Sequence, residues 1–498
     1  MKKLYRFSAI ALLVLPLVFT SCSDYLDRDD DDNITEADVF ARYEKVNGLV
    51  SDVYAAAKKA DRPLVFFEHF SNSAITDECE GTNVEGNITN NFNNGAWNPN
   101  SLPGSVGQYW EALYEGIRKA NLIIENVQKY NTPDNPQQDG DLRNRIGEMY
   151  FMRGYFHMLL LRMYGEAPYI DRVINAGDNM DFKKESVHSM VEKIVTDAQT
   201  AYGMVPNKYV KTSENFGRVD KGACLGLISF VRWVAATPLW NGASQYGYNL
   251  RRVFENEYAY DATRWRKAKE AAKAVLDFEV GGTKRYSLYT KHDANDFKDP
   301  ADGNLNDSRV YARLWDMFYD MDAFANEYVF FMTKSKDQAW QGDIYPPSRE
   351  GSSRQQPVQE QVDEYEYIVG DYGYPVYSAE ARKGGYDDTN PYVKGTRDPR
   401  FYRDVIYHGA PYRNNKNGSK TINTASGSDK IGATNATTTG YYLRKFQQES
   451  WNKSGNFSIN APAIWRLPEF IYIYAEACNE LGEDIDEAYK LVNTVRER

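Results

Sequence analysis

Residues 141–170 read DLRNRIGEMYFMRGYFHMLLLRMYGEAPYI, and this stretch decides the fold. From Met149 to Tyr164 nearly every position is apolar or aromatic, with Arg153, His157 and Arg162 as the polar exceptions. Leu142, Ile146, Met149, Phe156, Leu160 and Met163 recur at helical spacing. A helix that is apolar nearly all round must be buried on nearly all sides, so the stretch predicts a central helix with others packed around it. Gly165 and Pro168 mark its end. Arg145, Arg153 and Arg162 lie within it, and arginine is rarely buried unless paired, so structural ion pairs are expected of all three.

The partners are supplied on both sides. Thr35-Glu-Ala-Asp38 has the form of a capping box with Asp as its acid, and Val39, Tyr43, Val46, Val50, Val53 and Ala57 follow at helical steps. A second pattern carries Trp110, Leu113, Ile117, Ala120, Ile124 and Val127. After the central helix, a fourth is expected from near Ser186 to Gly203 and Pro206. A fifth runs from Asp220 to Thr237, where Gly222, Ala223 and Gly226 predict close packing. A sixth begins near Asp261 and runs through Trp265, Ala268, Ala272 and Val275. Helical pattern returns at Leu467–Leu481 and from Asp486 onward, and the chain stops at Arg498 inside that last helix, which suggests an incomplete C-terminal end. Paired helices with A-x-x-A texture (264–278 and 470–482) point to a solenoid of tetratricopeptide-like hairpins, degenerate because no strict 34-residue period is present. The fold class is therefore mostly α, with a large loop-rich insertion holding a few short strands.

That insertion spans about 291–460. Gly, Pro, Asn, Asp and Tyr dominate it, and β-type runs appear at Tyr328–Met332, Asp404–Tyr407 and Tyr441–Phe446. A shorter stretch, 61–108, has the same texture. Loop-rich stretches of such length are usually functional.

The beginning of the chain has its own chemistry. MKKLYRFSAIALLVLPLVFTSC (1–22) has a basic start and an apolar run too short to span a membrane, then small residues and Cys22. It reads as a secretory leader, 1–21, with Thr20-Ser21-Cys22 resembling a lipoprotein box that makes Cys22 the lipidated first residue. Six Asp lie within residues 24–32, a solvated tether to residue 34. The remaining 35–498 reads as one domain, with helical scaffold at 35–290 and 461–498 and loops at 291–460 and 61–108.

Net charge is −11, and about −14 without the leader's Lys2, Lys3 and Arg6. That argues against nucleic acid as a partner, since phosphate binding needs a basic patch. Cys22, Cys79, Cys224 and Cys478 form no C-x-x-C pair, and neither a disulfide framework nor a zinc site is expected. No H-E-x-x-H, G-x-S-x-G or P-loop pattern occurs, so neither an enzyme nor a cofactor is expected. DPADGNLND (299–307) has alternating oxygens but lacks the register of a calcium loop, and it reads as a turn.

The sharpest binding candidates are aromatic residues in polar loops, because sugar rings stack their C–H faces on Trp and Tyr while their hydroxyls seek Asn, Asp, Glu or Arg. GAWNPN (95–100) sets Trp97 beside Asn98 and Asn100, and DQAWQGD (337–343) sets Trp340 among polar neighbours. Tyr311 and Trp315, in YARLWDMF, are either platform or a short packed helix. Asp77, Glu78 and Glu80 form the tightest acidic group near these loops, either solvated turn residues or contacts to ligand hydroxyls.

Several segments, in order, resemble the SusD/RagB-like family of outer-membrane nutrient-binding lipoproteins. They are the lipobox, the central helix ending R-x-Y-G-x-x-P, NFGRVDKGACLGL (215–227), RDPRFYRDVIYHG (397–409), TTTGYYLRKF (437–446), and WRLPEFIYIYAEACNELG with EAYKLVNTVRER. Pro468 departs from the family pattern near a helix start, and the segment after N-x-V-R-x-R is absent. The resemblance implies four tetratricopeptide-like hairpins and a ligand face built of loops. It implies a lipid-anchored protein of the outer membrane facing the cell exterior. It also implies an oligosaccharide or polysaccharide ligand and a TonB-dependent (SusC-like) transporter as partner. An oligopeptide ligand is the alternative within the family, and a surface glycosidase or a pure tetratricopeptide-type scaffold lies outside it.

Overall fold

The computed structural model describes residues 34–60, 72–82, 88–96, 98, 104–131, 136–209, 214–242, 254–291, 317–318, 320–332, 342–393, 395–412, 421–447 and 463–498. Eight long helices are present among them: α1 Tyr43–Ala60, α2 Gly104–Tyr130, α3 Pro136–Tyr164, α4 Val187–Met204, α5 Lys221–Ala236, α6 Ala262–Leu276, α7 Leu467–Leu481 and α8 Ile485–Arg496. Each packs on the next in chain order, as tetratricopeptide-like helices do. The step from α6 to α7 crosses the whole loop-rich insertion, and Lys269 and Lys273 of α6 mark the return. Lys269 reaches Glu483 at 2.8 Å and Asp484 at 2.7 Å, and Lys273 reaches Glu487 at 3.0 Å.

Helix α3 is the centre. It touches α1, α2, α4 and α5, and its residues Phe151–Leu161 are all buried. Its termination is local: Gly165 takes φ +72, and a Cβ there would stand 2.8 Å from the Trp240 ring. Close packing of α5 is equally literal, since a Cβ on Gly226 would meet Val329 at 2.9 Å and Phe470 at 3.2 Å.

The caps follow the sequence. Ser186 Oγ accepts from Ser189 N–H, Asp220 Oδ1 from Ala223 N–H, and Asp261 Oδ1 from Thr263 N–H, each satisfying a donor at a helix start. Thr35 and Asp38 form the expected box, but it caps only the one-turn helix Glu36–Phe40, and α1 starts afresh at Tyr43. The break is supported by Asn131, whose Nδ2 donates to the Phe40 carbonyl at 2.9 Å and so satisfies a helix-end acceptor. Pro468 falls in the first turn of α7, where a missing N–H costs nothing.

Two of the three arginines behave as ion pairs. Arg153 grips Asp197 of α4 with two hydrogen bonds, Nη2 to Oδ1 at 2.5 Å and Nε to Oδ2 at 2.8 Å, and donates through Nη1 to Asn121 Oδ1 at 2.9 Å. Tyr169 OH donates to the same carboxylate at 2.6 Å. Arg145 pairs with Glu148 at 2.6 Å, and Arg218 reaches the other Glu148 oxygen at 2.8 Å. Arg162 corrects the expectation. It is exposed, with its guanidinium 5.6 Å from the Phe230 ring centroid, because it lies on the last turn, where α3 leaves the core.

His157 is a buried core residue. Its Nδ1 donates to the Arg153 carbonyl at 2.9 Å and its Nε2 accepts from Ile170 N–H at 3.0 Å, while Tyr169 stacks on the ring. Burial pushes its pKa down to about 3, so the imidazole stays neutral.

The three β-type runs are strands. Tyr328–Phe331 pairs antiparallel with Ala463–Arg466, and Val405–Ile406 with Tyr442–Leu443. The first pairing delivers the chain into α7. Beside it, buried Glu327 accepts from Tyr289 N–H at 2.6 Å, Arg466 at 3.0 Å and Arg498 at 2.7 Å.

Candidate functional site

The two loop-rich stretches meet. Cys79–Glu80 pairs antiparallel with Gln356–Pro357, and Val358 N–H donates to the Glu78 carbonyl at 3.2 Å. Gln356 is fully buried and acts as a hub: its Nε2 donates to the Ser353 carbonyl, and its Oε1 accepts from Thr438 N–H at 2.7 Å and Thr438 Oγ1 at 3.0 Å. Segments 72–82, 342–358 and 421–447 are thereby knit together. The stretch 342–345 folds back on 351–354, with Ser352 N–H donating to Gly342 O at 2.7 Å and Arg354 N–H to Asp343 O at 2.5 Å. Gly351 is required there, because a Cβ would lie 1.9 Å from the Tyr345 carbonyl oxygen.

On this strip the acidic group separates into roles. Asp77 is exposed at a turn. Glu78 accepts from Ser73 Oγ at 2.8 Å. Glu80 is already engaged: Asn93 Nδ2 donates to both its oxygens (3.1 and 3.3 Å), and Gly81 N–H donates to one at 3.0 Å. Its carboxylate thus ties the short helix Ile88–Asn93 to the 72–82 segment, while Asp77 and Glu78 are both exposed. Cys79 is buried, which pushes its thiol up to about 12 and makes it inert.

Asn98 is exposed. Trp97, Asn100, Tyr311, Trp315 and Trp340 lie outside the described residues, as do Cys22 and the 299–307 turn. What the structure brings together is their flanks. Asn93, four residues before Trp97, and Gly342, two after Trp340, both belong to the strip joined through Glu80 and Gln356.

A second feature went unread in the sequence. EYEYIVGDYGYPVY (364–377) forms a hairpin in which Tyr367–Val369 pairs with Tyr372–Tyr374 around Gly370 at φ +63. Tyr372 and Tyr377 are 69% and 55% exposed, far more than large aromatics usually are. The alternation of Tyr around a Gly-Asp turn is a hairpin signal carried by the sequence itself.

The geometry so far defines a class: a helical solenoid that carries a face built from interlocked loops. Among the described residues no helix is long and apolar enough to cross a membrane, and no group of three or more His, Cys, Asp or Glu is placed to hold a metal ion. A family model described as "Starch-binding associating with outer membrane" matches residues 24–231, and one described as "SusD family" matches residues 314–498. The chain belongs to the SusD/RagB-like family. It is similar to SusD-like protein P2 of Formosa agariphila, 24% identical over 202 residues. That match covers 40% of this chain and only 38% of the relative's length. The fold is shared with a SusD-like protein of Bacteroides fragilis at TM-score 0.68 and 20% identity, covering 95% of this chain and 80% of that one. It is shared also with a SusD-like carbohydrate binding protein of the same species at TM-score 0.65 and 14% identity, covering 89% and 75%.

Proposed function

We propose that this protein is a cell-surface glycan-binding lipoprotein that captures oligosaccharide and delivers it to a TonB-dependent outer-membrane transporter, without chemistry of its own. The observation that carries the reading is the junction of the two loop-rich stretches through Cys79–Glu80 and Gln356–Pro357. It ties Asn93, four residues before Trp97, and Gly342, two after Trp340, into one hydrogen-bonded strip, in a chain matched by a family model described as starch-binding and associating with the outer membrane, and this supports the reading. In this reading Trp97 and Trp340 are the stacking surface, Asp77, Asn98 and Asn100 receive hydroxyls, and Tyr311 and Trp315 extend the platform. Glu80 acts through the Asn93 contact, as a positioning residue.

The test is a binding screen of the leaderless protein against polysaccharides and oligopeptides, followed by overnight incubation with any glycan bound. Binding with an unchanged chain-length profile is the expected result. New reducing ends that vanish on Asp77→Asn would make the protein a glycosidase, and binding of peptides alone would replace the ligand class.

Cys22 is the anchor in this reading, lipidated after removal of residues 1–21, with the Asp-rich tether behind it. The variant Cys22→Ala is expected to leave the membrane fraction for the soluble one. Retention of the variant in membranes after a high-salt wash would refute the anchor.

A further inference from the structure

The turn 444–447 lies where several pieces of the loop face cross. Lys445 N–H donates to the Asp404 carbonyl at 3.2 Å, and two residues on Gln447 Nε2 donates to the Ile344 carbonyl at 2.9 Å. Gln447 N–H closes the turn on Arg444 O at 2.9 Å. Between Lys445 and Gln447, Phe446 takes φ +67, which is rare for a bulky side chain and marks a conformation that its surroundings impose. Its ring meets buried Phe318 edge-on, with centroids 4.5 Å apart. The Lys445 charge is felt at Cys79 and in turn feels Glu78, so the 72–82 segment borders the same spot.

The arginines of this cluster have their acids. Arg403 and Arg466 each lie 5.6 Å from the Phe318 ring centroid. Arg403 pairs with Asp404, which also accepts from Tyr365 OH at 2.9 Å. Arg466 pairs with Glu327 at 3.0 Å, and Arg498 shares that carboxylate at 2.7 Å.

Lys445 is different. Its ammonium sits 5.2 Å from the Phe446 ring centroid, and among the described residues it has neither a hydrogen-bond acceptor nor an acid within ion-pair distance. The side chain is half-buried, and its amine still meets solvent. Burial lowers its pKa; Asp404 opposes that shift, Arg403 and Arg466 reinforce it, and Glu78 opposes it. Lysine is seldom withdrawn from water without a partner, because the ammonium loses hydration and gains nothing in return. An anion brought by a ligand supplies the missing partner, in surroundings where a charge-assisted hydrogen bond is stronger than in open water.

We infer that Lys445 is a specificity-determining residue of the glycan site, and that the glycan it selects carries anionic groups, carboxylate or sulfate, one of which pairs with this ammonium. The inference rests on the glycan reading above and adds the charge class of the ligand to it. The chain as a whole is acidic, so its general surface does not draw polyanions, and such selection has to come from a placed cation.

The experiment is affinity electrophoresis of the leaderless protein through gels holding polygalacturonate or alginate as carboxylated probes, dextran sulfate or carrageenan as sulfated ones, and soluble starch, xyloglucan or galactomannan as neutral ones. Wild type is expected to be retained by an anionic polymer more strongly than by any neutral one, and the arm that retains it identifies the group as carboxylate or sulfate. Lys445→Met keeps the apolar stem and is expected to weaken that retention about tenfold, while Lys445→Arg keeps most of it. Thermal melts separate binding from folding. Lys445→Met is expected to melt at or above the wild-type temperature, since it removes an unpaired ammonium. Equal retention of wild type and Lys445→Met overturns the inference. So does a loss of retention accompanied by a lowered melt, which would make the lysine structural. Retention of wild type by neutral polymers alone overturns the charge class and leaves the glycan reading standing. Failure of every polymer to retain wild type overturns the glycan reading together with it.

Discussion

Asp197→Ala is expected to destabilise the protein by about 3–5 kcal/mol, because it strands a buried guanidinium. Asp197 is 4% exposed and Arg153 6%. Arg153, Tyr169 and Asn121 converge there from three parts of the chain. Removing the acid leaves the Arg153 charge and the Tyr169 hydroxyl without their acceptor in the middle of the α3–α4 contact. Replacing both members of the pair by apolar residues, Arg153→Met with Asp197→Leu, removes the charge together with its partner and is expected to cost much less. Urea unfolding of the leaderless protein measures both. A loss this large is a substantial share of the ~5–15 kcal/mol that holds a typical domain. Equal midpoints for the single and the double variant would show that packing volume, rather than the unpaired charge, sets the penalty.

Trp97→Ala and Trp340→Ala are each expected to weaken binding of the glycan identified in the screen by about 5- to 150-fold. Aromatic stacking beyond area burial is worth about 0.5–1.5 kcal/mol, and the lost apolar contact brings the total to roughly 1–3 kcal/mol. Isothermal titration reads the loss, and thermal melts report on the fold. Both tryptophans belong to stretches whose Gly-, Asn- and Asp-rich sequence reads as loop, so the melting temperatures are expected to hold. Wild-type affinity in both variants would move the platform elsewhere on the molecule. Loss of binding only with a collapsed melt would make these tryptophans packing residues.

Glu80 and Asp77 show where sequence reading reaches its limit. Both are acids of the segment DECE (77–80), and nothing in it or its surroundings distinguishes them. Their difference comes from Asn93, thirteen residues beyond Glu80, whose amide turns back to hold that carboxylate. Arg162 fails for a related reason. Periodicity groups it with Arg145 and Arg153, but burial depends on how far along α3 the neighbouring helices extend. The tyrosine hairpin is a different kind of miss. Its alternation and its Gly-Asp turn are legible, but Tyr is frequent throughout 291–460, and only the structure shows that Tyr372 and Tyr377 stand in solvent.

Local chemistry is what the chain alone determined. The helix starts at Ser186, Asp220 and Asp261 are visible because a cap needs only a side-chain oxygen and the next two or three residues. The central position of α3 is visible because a helix without a polar face has no stable place at a surface. The short strands at 328–331, 405–406 and 442–443 are visible from their β-branched and aromatic content. Tertiary structure decided which of these pieces meet. It brought residues 79–80 to 356–357, carried α7 back onto α6 across the insertion, and closed Glu327 between Arg466 and Arg498. Such contacts join residues from about 140 to 280 positions apart in the chain. Their partners are selected by shape, charge and the satisfaction of buried polar groups in the assembled molecule, none of which a local pattern records.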